Sequence, residues 1–229
     1  MVAQLLKFPL ILVLAGFAAF AMFLPALHAF MLDDHSVARA FLYSGALGLT
    51  FVGITALAMS GRQTEGATDI QHLGALFLAY TALPLFLALP FYEGLETTRY
   101  INADFEMVSS LTTTGATLFD TPGRIPEPLH LWRGLVGWFG GLMIWVAASA
   151  ILAPLNLGGF EVTASAEPGQ EDTGFQRFER ASATKRLQQA IGTLAPIYLG
   201  LTALLCLILM INGERAFVAL IHAMSTMAT

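Results

Sequence analysis

The stretch "DFEMVSSLTTTGATLFD", Asp104 to Asp120, decides how the chain is interpreted. It lies between two long hydrophobic segments, yet it is too polar to cross a membrane and carries six hydroxyl side chains. Irregular backbone survives at membrane depth only where it is buried in protein or lines water. The stretch therefore predicts either a re-entrant loop beside an ion path or an extracellular hairpin whose threonines satisfy backbone groups.

The composition places the chain in a lipid bilayer. Of its 229 residues, 56% are apolar and only 12% are charged, whereas soluble domains carry about 25% charged residues. No basic patch interleaved with aromatics indicates nucleic acid as a partner. The single cysteine, Cys206, lies within an apolar run, so neither a disulfide framework nor a cysteine-based metal site is expected.

Five segments have the length of a membrane helix, which needs about 20 mainly apolar residues. They are Phe8–Leu32, Ala40–Ser60, Leu73–Tyr92, Leu129–Leu157 and Leu187–Ile211. Two shorter amphipathic pieces, Asn102–Leu111 and Glu214–Met224, suit re-entrant helices. The first segment also resembles a cleavable signal peptide ending in "ALHA", although its apolar run exceeds the usual 7–15 residues or so. The fold class predicted is all-α and polytopic.

The distribution of lysine and arginine predicts the orientation. One side would hold Lys7, Arg62, Arg177, Arg180, Lys185 and Arg186, and the other Arg39, Arg99, Arg124, Arg133 and Arg215. We expect a multi-pass protein of the cytoplasmic (inner) membrane, with the N-terminus and residues 158–186 in the cytoplasm. Most acidic residues then lie outside, where they either attract cations or simply make the loops polar.

The hydroxyl-rich stretch suits a selectivity filter. We expect Asn102 to cap a short helix, with Asp104 and Glu106 in its positive first turn. Its negative C-terminal end would point at a cation. A potassium filter replaces the water of the ion with backbone carbonyls. Gly115 would supply the unusual backbone this requires.

An internal repeat adds a second hydroxyl-rich end. Shifting the chain by about 115 residues brings Ser110 onto Ser225 and Thr114 onto Thr229. Identities are few, but the layout of span, polar link, short helix and hydroxyl-rich end recurs. Repeats of this kind are common in transporters.

Several stretches together resemble the TrkH-type membrane subunit of the Trk/Ktr potassium-uptake family, in its N-terminal half. They are "FEMVSSLTTTGATLF", "LWRGLVGWFGGLMIWVAASAILAPLNLGG", "AEPG", "IYLGLTALLCLIL" and "LIHAMSTMAT". The resemblance implies span–pore helix–span repeats of the potassium-channel-like type with re-entrant filter loops. By transfer, the filter carbonyls would come from Thr113, Thr114, Gly115, Ala228 and Thr229.

The resemblance also implies a domain organisation and partners. Residues 1–72 would form an N-terminal pair of transmembrane helices, 73–158 the first repeat with its filter, 159–186 a cytoplasmic linker and 187–229 an incomplete second repeat. Potassium would be the substrate, and the chain would hold no cofactor. Family members form homodimers and bind a cytoplasmic regulatory subunit that binds nucleotides. Gly115 favours potassium, because serine at this place accompanies sodium permeation in some relatives.

The family pattern is incomplete in this sequence, which leaves other functions open. Two further repeats are absent, so we expect the chain to be a fragment that lacks its C-terminal half and does not conduct selectively alone. The alternatives are a non-conducting truncated assembly protein, a sodium/potassium-translocating relative and an intramembrane enzyme, for which catalytic groups are lacking. Gly140 and Gly141 suit a hinge, a close approach to the short pore helix, or simply tight packing between helices. Arg133 would snorkel or pair with an acid such as Glu127.

Overall fold

The computed structural model describes residues 8–59, 69–152 and 183–228. In these ranges all regular structure is helical. The α-helices are α1 (Leu10–Ala21), α2 (Phe23–Met31), α3 (His35–Met59), α4 (Asp69–Leu95), α5 (Tyr100–Leu111), α6 (Glu127–Ala147), α7 (Ala183–Ile211) and α8 (Ala216–Ala228). A 3₁₀ turn, Pro122–Arg124, precedes α6, and a π-helical turn, Ala148–Leu152, continues it.

Among the described residues, five segments are long and apolar enough to cross a membrane, as predicted. They are Leu10–Met31, His35–Met59, Ile70–Leu95, Glu127–Leu152 and Lys185–Ile211. The second span begins at His35, five residues before the predicted Ala40, because residues 35–39, several of them polar, extend the helix at its N-terminal end. The predicted cytoplasmic linker after residue 158, with its basic residues Arg177 and Arg180, lies outside the described residues, as does Thr229.

The first span is interrupted by a proline near its middle. Pro25 has no amide hydrogen, so the helix cannot form its bond to the carbonyl of Ala21. The chain accordingly ends α1 at Ala21 and restarts at Phe23, with Met22 between them. Ala19 and Met22 are fully buried, so this span is packed into the bundle.

Two prolines lie inside α4 without ending it. The helix continues through both Pro84 and Pro90 to Leu95. Carbonyls in the turn between them accept bonds from neighbouring helices. The Tyr100 hydroxyl donates to Leu85 O at 2.5 Å, and the Trp132 indole N–H donates to Leu87 O at 3.0 Å. These bonds attach α5 and α6 to α4.

The sixth helix is the centre of the bundle. Its most apolar stretch is 56% buried, against 11% for the span containing α7. Small residues permit this burial because they let neighbouring backbones approach closely. Gly134 contacts α8, Gly140 contacts α5, and the carbonyl of Gly140 accepts a 3.4 Å bond from Tyr80 on α4. Gly140 and Gly141 therefore allow close packing and, as predicted, a close approach of the short helices to α6.

Candidate functional site

The short helix α5 carries the hydroxyl-rich stretch to the middle of the most buried of the five spans. Its last residue, Leu111, lies against Gly140, near the middle of the Glu127–Leu152 span. An ideal β-carbon at position 140 would stand 2.1 Å from Leu111 O. The stretch does not lie flat across the ends of the spans. The stretch therefore descends into the helix bundle, as the re-entrant alternative predicted, and does not form a hairpin across the span ends. Its place beside an ion path stays a prediction.

The end of α5 is a Schellman cap, a turn in which two amides fold back onto the last carbonyls. Thr113 N–H donates to Ser110 O at 3.0 Å, and Thr114 N–H donates to Ser109 O at 2.9 Å. The cap requires a left-handed residue, usually glycine, at position 113. Here that residue is Thr113, with φ of 56°. A β-branched residue with positive φ is a genuine outlier, and such strain clusters at functional sites.

The second left-handed residue of the turn is Gly115. Its φ is 74°, and no atom lies within 4 Å of the place where a β-carbon would stand. Residues 114–118 are exposed. Position 115 thus requires glycine for its backbone and not for lack of space. This agrees with the prediction that Gly115 is the pivot of the stretch.

Hydroxyl contacts lie on both sides of Gly115, and the one after it holds the backbone. Ser109 Oγ donates to the carbonyl of Ala116 at 2.6 Å. The hydroxyls of Thr112 and Thr114 are 2.8 Å apart. The first bond turns the Ala116 carbonyl back toward α5. The carbonyls of Thr113, Thr114 and Gly115 precede this anchored group.

A buried carboxylate holds the strand that returns from the turn. Glu106 has no exposed surface. Its Oε1 accepts the Thr117 hydroxyl at 2.9 Å and the Leu118 amide at 2.7 Å. Its Oε2 lies 3.1 Å from Arg133 Nε, close enough for an ion pair, although the N–H is not aligned for a hydrogen bond. Burial of the charge is tolerated because each oxygen has a partner.

These contacts correct three sequence predictions. Arg133 pairs with Glu106, whereas Glu127 lies 3.8 Å from the His28 ring nitrogen. Asn102 does not cap α5, because the helix begins two residues earlier at Tyr100 and has no side-chain cap. Glu106 is consequently in the second turn, on the buried side. The sequence prediction placed Glu106 at the positive N-terminal end of the helix. In the structure its place is set by its buried contacts with Thr117, Leu118 and Arg133.

The second short helix, α8, ends beside the first. The Tyr198 hydroxyl lies 3.0 Å from Met227 O and 3.1 Å from Trp138 O, within reach of both carbonyls. A β-carbon at Gly141 would stand 3.0 Å from the Cα of Ala228. Neighbouring glycines of α6 thus receive the ends of the two short helices, with Leu111 at Gly140 and Ala228 at Gly141.

A cavity of ≈ 670 Å³ lies between the two short helices and α6. Its lining includes Thr113, Gly115 and Ala228, so the structure brings together three of the five predicted filter residues. Thr114 is exposed beside it but does not line it. Ser110 and Ser225, which the repeat aligns, both line the cavity.

Comparisons with known proteins agree with this arrangement. No family model matches the chain. It is 33% identical over 210 residues to the Trk system potassium uptake protein TrkH of Salmonella typhimurium, covering 90% of this chain and 41% of that protein. It is 33% identical over 152 residues to the Trk system potassium uptake protein TrkI of Halomonas elongata, covering 66% of this chain and 29% of that protein.

A solved structure matches nearly the whole chain. The crystal structure of the potassium transporter TrkH from Vibrio parahaemolyticus superposes with a TM-score of 0.75 at 25% identity, covering 97% of this chain and 42% of that one. The chain belongs to the TrkH family. It spans about two fifths of the length of these two TrkH proteins.

The helix bounds of this TrkH-type chain follow the offset of about 115 residues read from the sequence. That shift carries Asp69–Leu95 to within one residue of both ends of Ala183–Ile211. It carries Tyr100 to within one residue of Ala216, where α8 begins. Pairing of span and short helix therefore recurs, although Thr229, the partner of Thr114, is outside the described residues.

Sequence reasoning missed the groups that hold the TrkH-type turn in place. Glu106 and Ser109 are three residues apart, so they share one face of α5, and both are buried. A carboxylate on the same face as Ala103 and Met107 was the available signal. Within the described ranges no group of three or more His, Cys, Asp or Glu residues could hold a metal ion.

Proposed function

We propose that this chain provides part of a potassium-translocating path across the cytoplasmic membrane. The first contribution would be the carbonyls of Thr113, Thr114 and Gly115, and the second those of Ala228 and Thr229. The function is translocation of an ion, with potassium as substrate and no cofactor held by this chain. The names of the relatives, which are potassium uptake proteins, support this assignment.

The observation that carries the proposal is the exposed turn at the end of α5. An ion that sheds water needs backbone oxygens held in place beforehand. The turn combines two left-handed residues, Thr113 and Gly115, with the capped end of α5 on one side and an anchored strand on the other. Such an arrangement suits a binding surface better than a loop that only joins two spans.

Helix electrostatics favour a cation at the same place. The C-terminal end of a helix carries about half a negative charge. Both α5 and α8 end at α6, against Gly140 and Gly141, and their ends border the same cavity. A cation in that cavity would be attracted by both ends, which supports pairing of the two short helices in one path.

Further segments would complete the path. Two strands offer too few carbonyls to surround a dehydrated potassium ion, and the chain spans 41% of the Salmonella relative. We propose that other repeats of the same transporter supply the rest, with a second copy forming a homodimer and a cytoplasmic nucleotide-binding subunit regulating it. The N-terminus and the linker before α7 would face the cytoplasm, as the cationic residues there favour.

Growth at low potassium tests the proposal. The gene, with the reading frame that adjoins it, is expressed in a bacterium lacking potassium uptake, and potassium and sodium uptake are measured. Growth should be restored, and Gly115→Ser should lower the preference for potassium over sodium. Gly53→Ser is the matched control, because Gly53 is an exposed helical glycine with no atom within 4 Å of its β-position.

Each outcome decides between the candidate functions. No uptake by the wild-type protein at normal membrane levels would favour a non-conducting assembly protein. Equal uptake of the two ions by the wild type would favour a sodium/potassium-translocating relative. An unchanged ion preference in Gly115→Ser would remove Gly115 from the filter.

A further inference from the structure

The carboxylate of Glu106 does more than occupy the core, because it joins three separate parts of the site. Its Oε1 receives two donors from the returning strand, and its Oε2 faces α6 through Arg133. It therefore fixes the distance between the end of α5, the returning strand and the central helix. No apolar residue at position 106 offers these acceptors.

The Thr117 hydroxyl both donates and accepts a hydrogen bond. It donates its single proton to Glu106 and accepts the amide of Phe119 at 3.2 Å. The hydroxyl thus links the carboxylate to the backbone two residues farther on. Leu118 donates its own amide to the same oxygen, so three consecutive residues are tied to one buried charge.

Position 117 is two residues after Gly115, so a shift of this strand changes the direction of the preceding carbonyls. Ser109 holds Ala116 from the side of α5, and Glu106 holds Thr117 and Leu118. The exposed carbonyls lie between the Schellman cap on one side and these bonds on the other. The turn is therefore held at both ends, while the carbonyls of residues 113–115 between them are free to face an ion.

We infer that Glu106, with Arg133 as its counter-charge, is a positioning residue for ion selection by the turn. This inference rests on the proposed function. Glu106 does not touch the ion. It holds the strand after Gly115 at the distance that suits potassium. Arg133 orients the carboxylate and balances its charge, since a buried charge without a partner is costly.

The test compares two variants that weaken the contact differently. Glu106→Gln keeps the shape and an acceptor oxygen but removes the charge opposite Arg133. Thr117→Val keeps the size and branching of the side chain but removes the hydroxyl. Thr117→Ser restores the hydroxyl and is the conservative rescue. Thr81→Val is the control, since in the described part of the chain the Thr81 hydroxyl bonds to Phe77 O of its own helix.

The readout is the ratio of potassium to sodium uptake, normalised to the amount of protein in the membrane. We expect a fall on the order of tenfold for Glu106→Gln, the size expected for one hydrogen bond to a charged group, and a smaller fall for Thr117→Val. Thr117→Ser and Thr81→Val should remain within about twofold of wild type. If Glu106→Gln does not reach the membrane, Thr117→Val decides the question.

A merely structural role would lower uptake of all ions together and leave the ratio unchanged. That result for Thr117→Val, with wild-type protein conducting potassium, would overturn the inference while leaving the proposed function intact. Failure of the wild type to take up potassium would instead overturn the proposed function. The two failures are therefore distinguishable in one set of measurements.

Discussion

The main-chain oxygen of Leu111 lies so close to Gly140 that a β-carbon at position 140 would stand 2.1 Å from it. The same hypothetical atom would also meet the carbonyl carbon of Leu111 at 2.9 Å. Backbone at the end of α5 cannot move aside as a flexible side chain would, because the Schellman cap and Glu106 hold it. This contact sets the depth to which the hydroxyl-rich turn descends.

Gly140→Ala should therefore destabilise the protein by about 1–3 kcal/mol or more, the usual cost of overpacking. Thermal unfolding of the purified protein in detergent measures the loss. The control is Gly192→Ala on α7, where no atom lies within 4 Å of the β-position. That change should be neutral or stabilising, because alanine favours a helix over glycine by roughly 0.5–1 kcal/mol. Equal stability of the two variants would contradict the contact.

The neighbouring glycine should show coupling with a tyrosine. A β-carbon at Gly141 would stand 2.6 Å from the Tyr198 hydroxyl. Gly141→Ala and Tyr198→Phe should each destabilise, the first by crowding and the second by loss of a hydrogen bond worth about 1 kcal/mol. The double variant should be more stable than the sum of the two predicts, because removing the hydroxyl makes room. Strict additivity in a double-mutant cycle would mean that the two groups do not touch.

The spans were predictable because length and composition alone determine them. Each apolar segment of this length had to be a helix, since a helix satisfies all its backbone groups within the segment where no water is present. Pro25 and the π-helical turn at Ala148–Leu152 were not foreseen as breaks in that pattern. Their effects depend on local hydrogen bonds that an apolar run does not specify.

The turn was predicted in outline but its supports were not. Gly115 was recognised because the sequence around it demands an unusual backbone. Thr113 was assigned a carbonyl, but nothing in a threonine predicts a positive φ. Glu106 was assigned to the first turn of α5, and its partner Arg133 lies 27 positions farther along the chain. Only the packing of α5 on α6 brings these two together.

The indole of Trp132 should contribute to stability through one buried bond. It is 1% exposed, donates to Leu87 O at 3.0 Å and packs edge-on against Phe41. Trp132→Phe should cost about 1–3 kcal/mol, from the lost bond and the cavity left behind. Trp145→Phe is the matched control, because Trp145 is 42% exposed. Thermal unfolding should rank Trp132→Phe clearly below Trp145→Phe, and the reverse order would contradict the assignment.

Replacing the left-handed Thr113 should affect stability and ion preference differently. Asp33 occupies the equivalent position of a Schellman cap after α2, with φ of 58° against 56° for Thr113. Glycine adopts this backbone without the penalty of a side chain, so Thr113→Gly and Asp33→Gly should each leave stability unchanged or raise it by up to about 1 kcal/mol. Thermal unfolding measures this effect.

Only Thr113→Gly should alter the ratio of potassium to sodium uptake, because a β-branched residue stiffens the strand and glycine loosens it. Asp33→Gly should keep the wild-type ratio, since Asp33 does not line the cavity that contains Thr113 and Gly115. If Thr113→Gly gained stability and also kept the full preference for potassium, the strained threonine would have no part in ion selection. The positive φ would then be only the consequence of a helix that must end at Leu111.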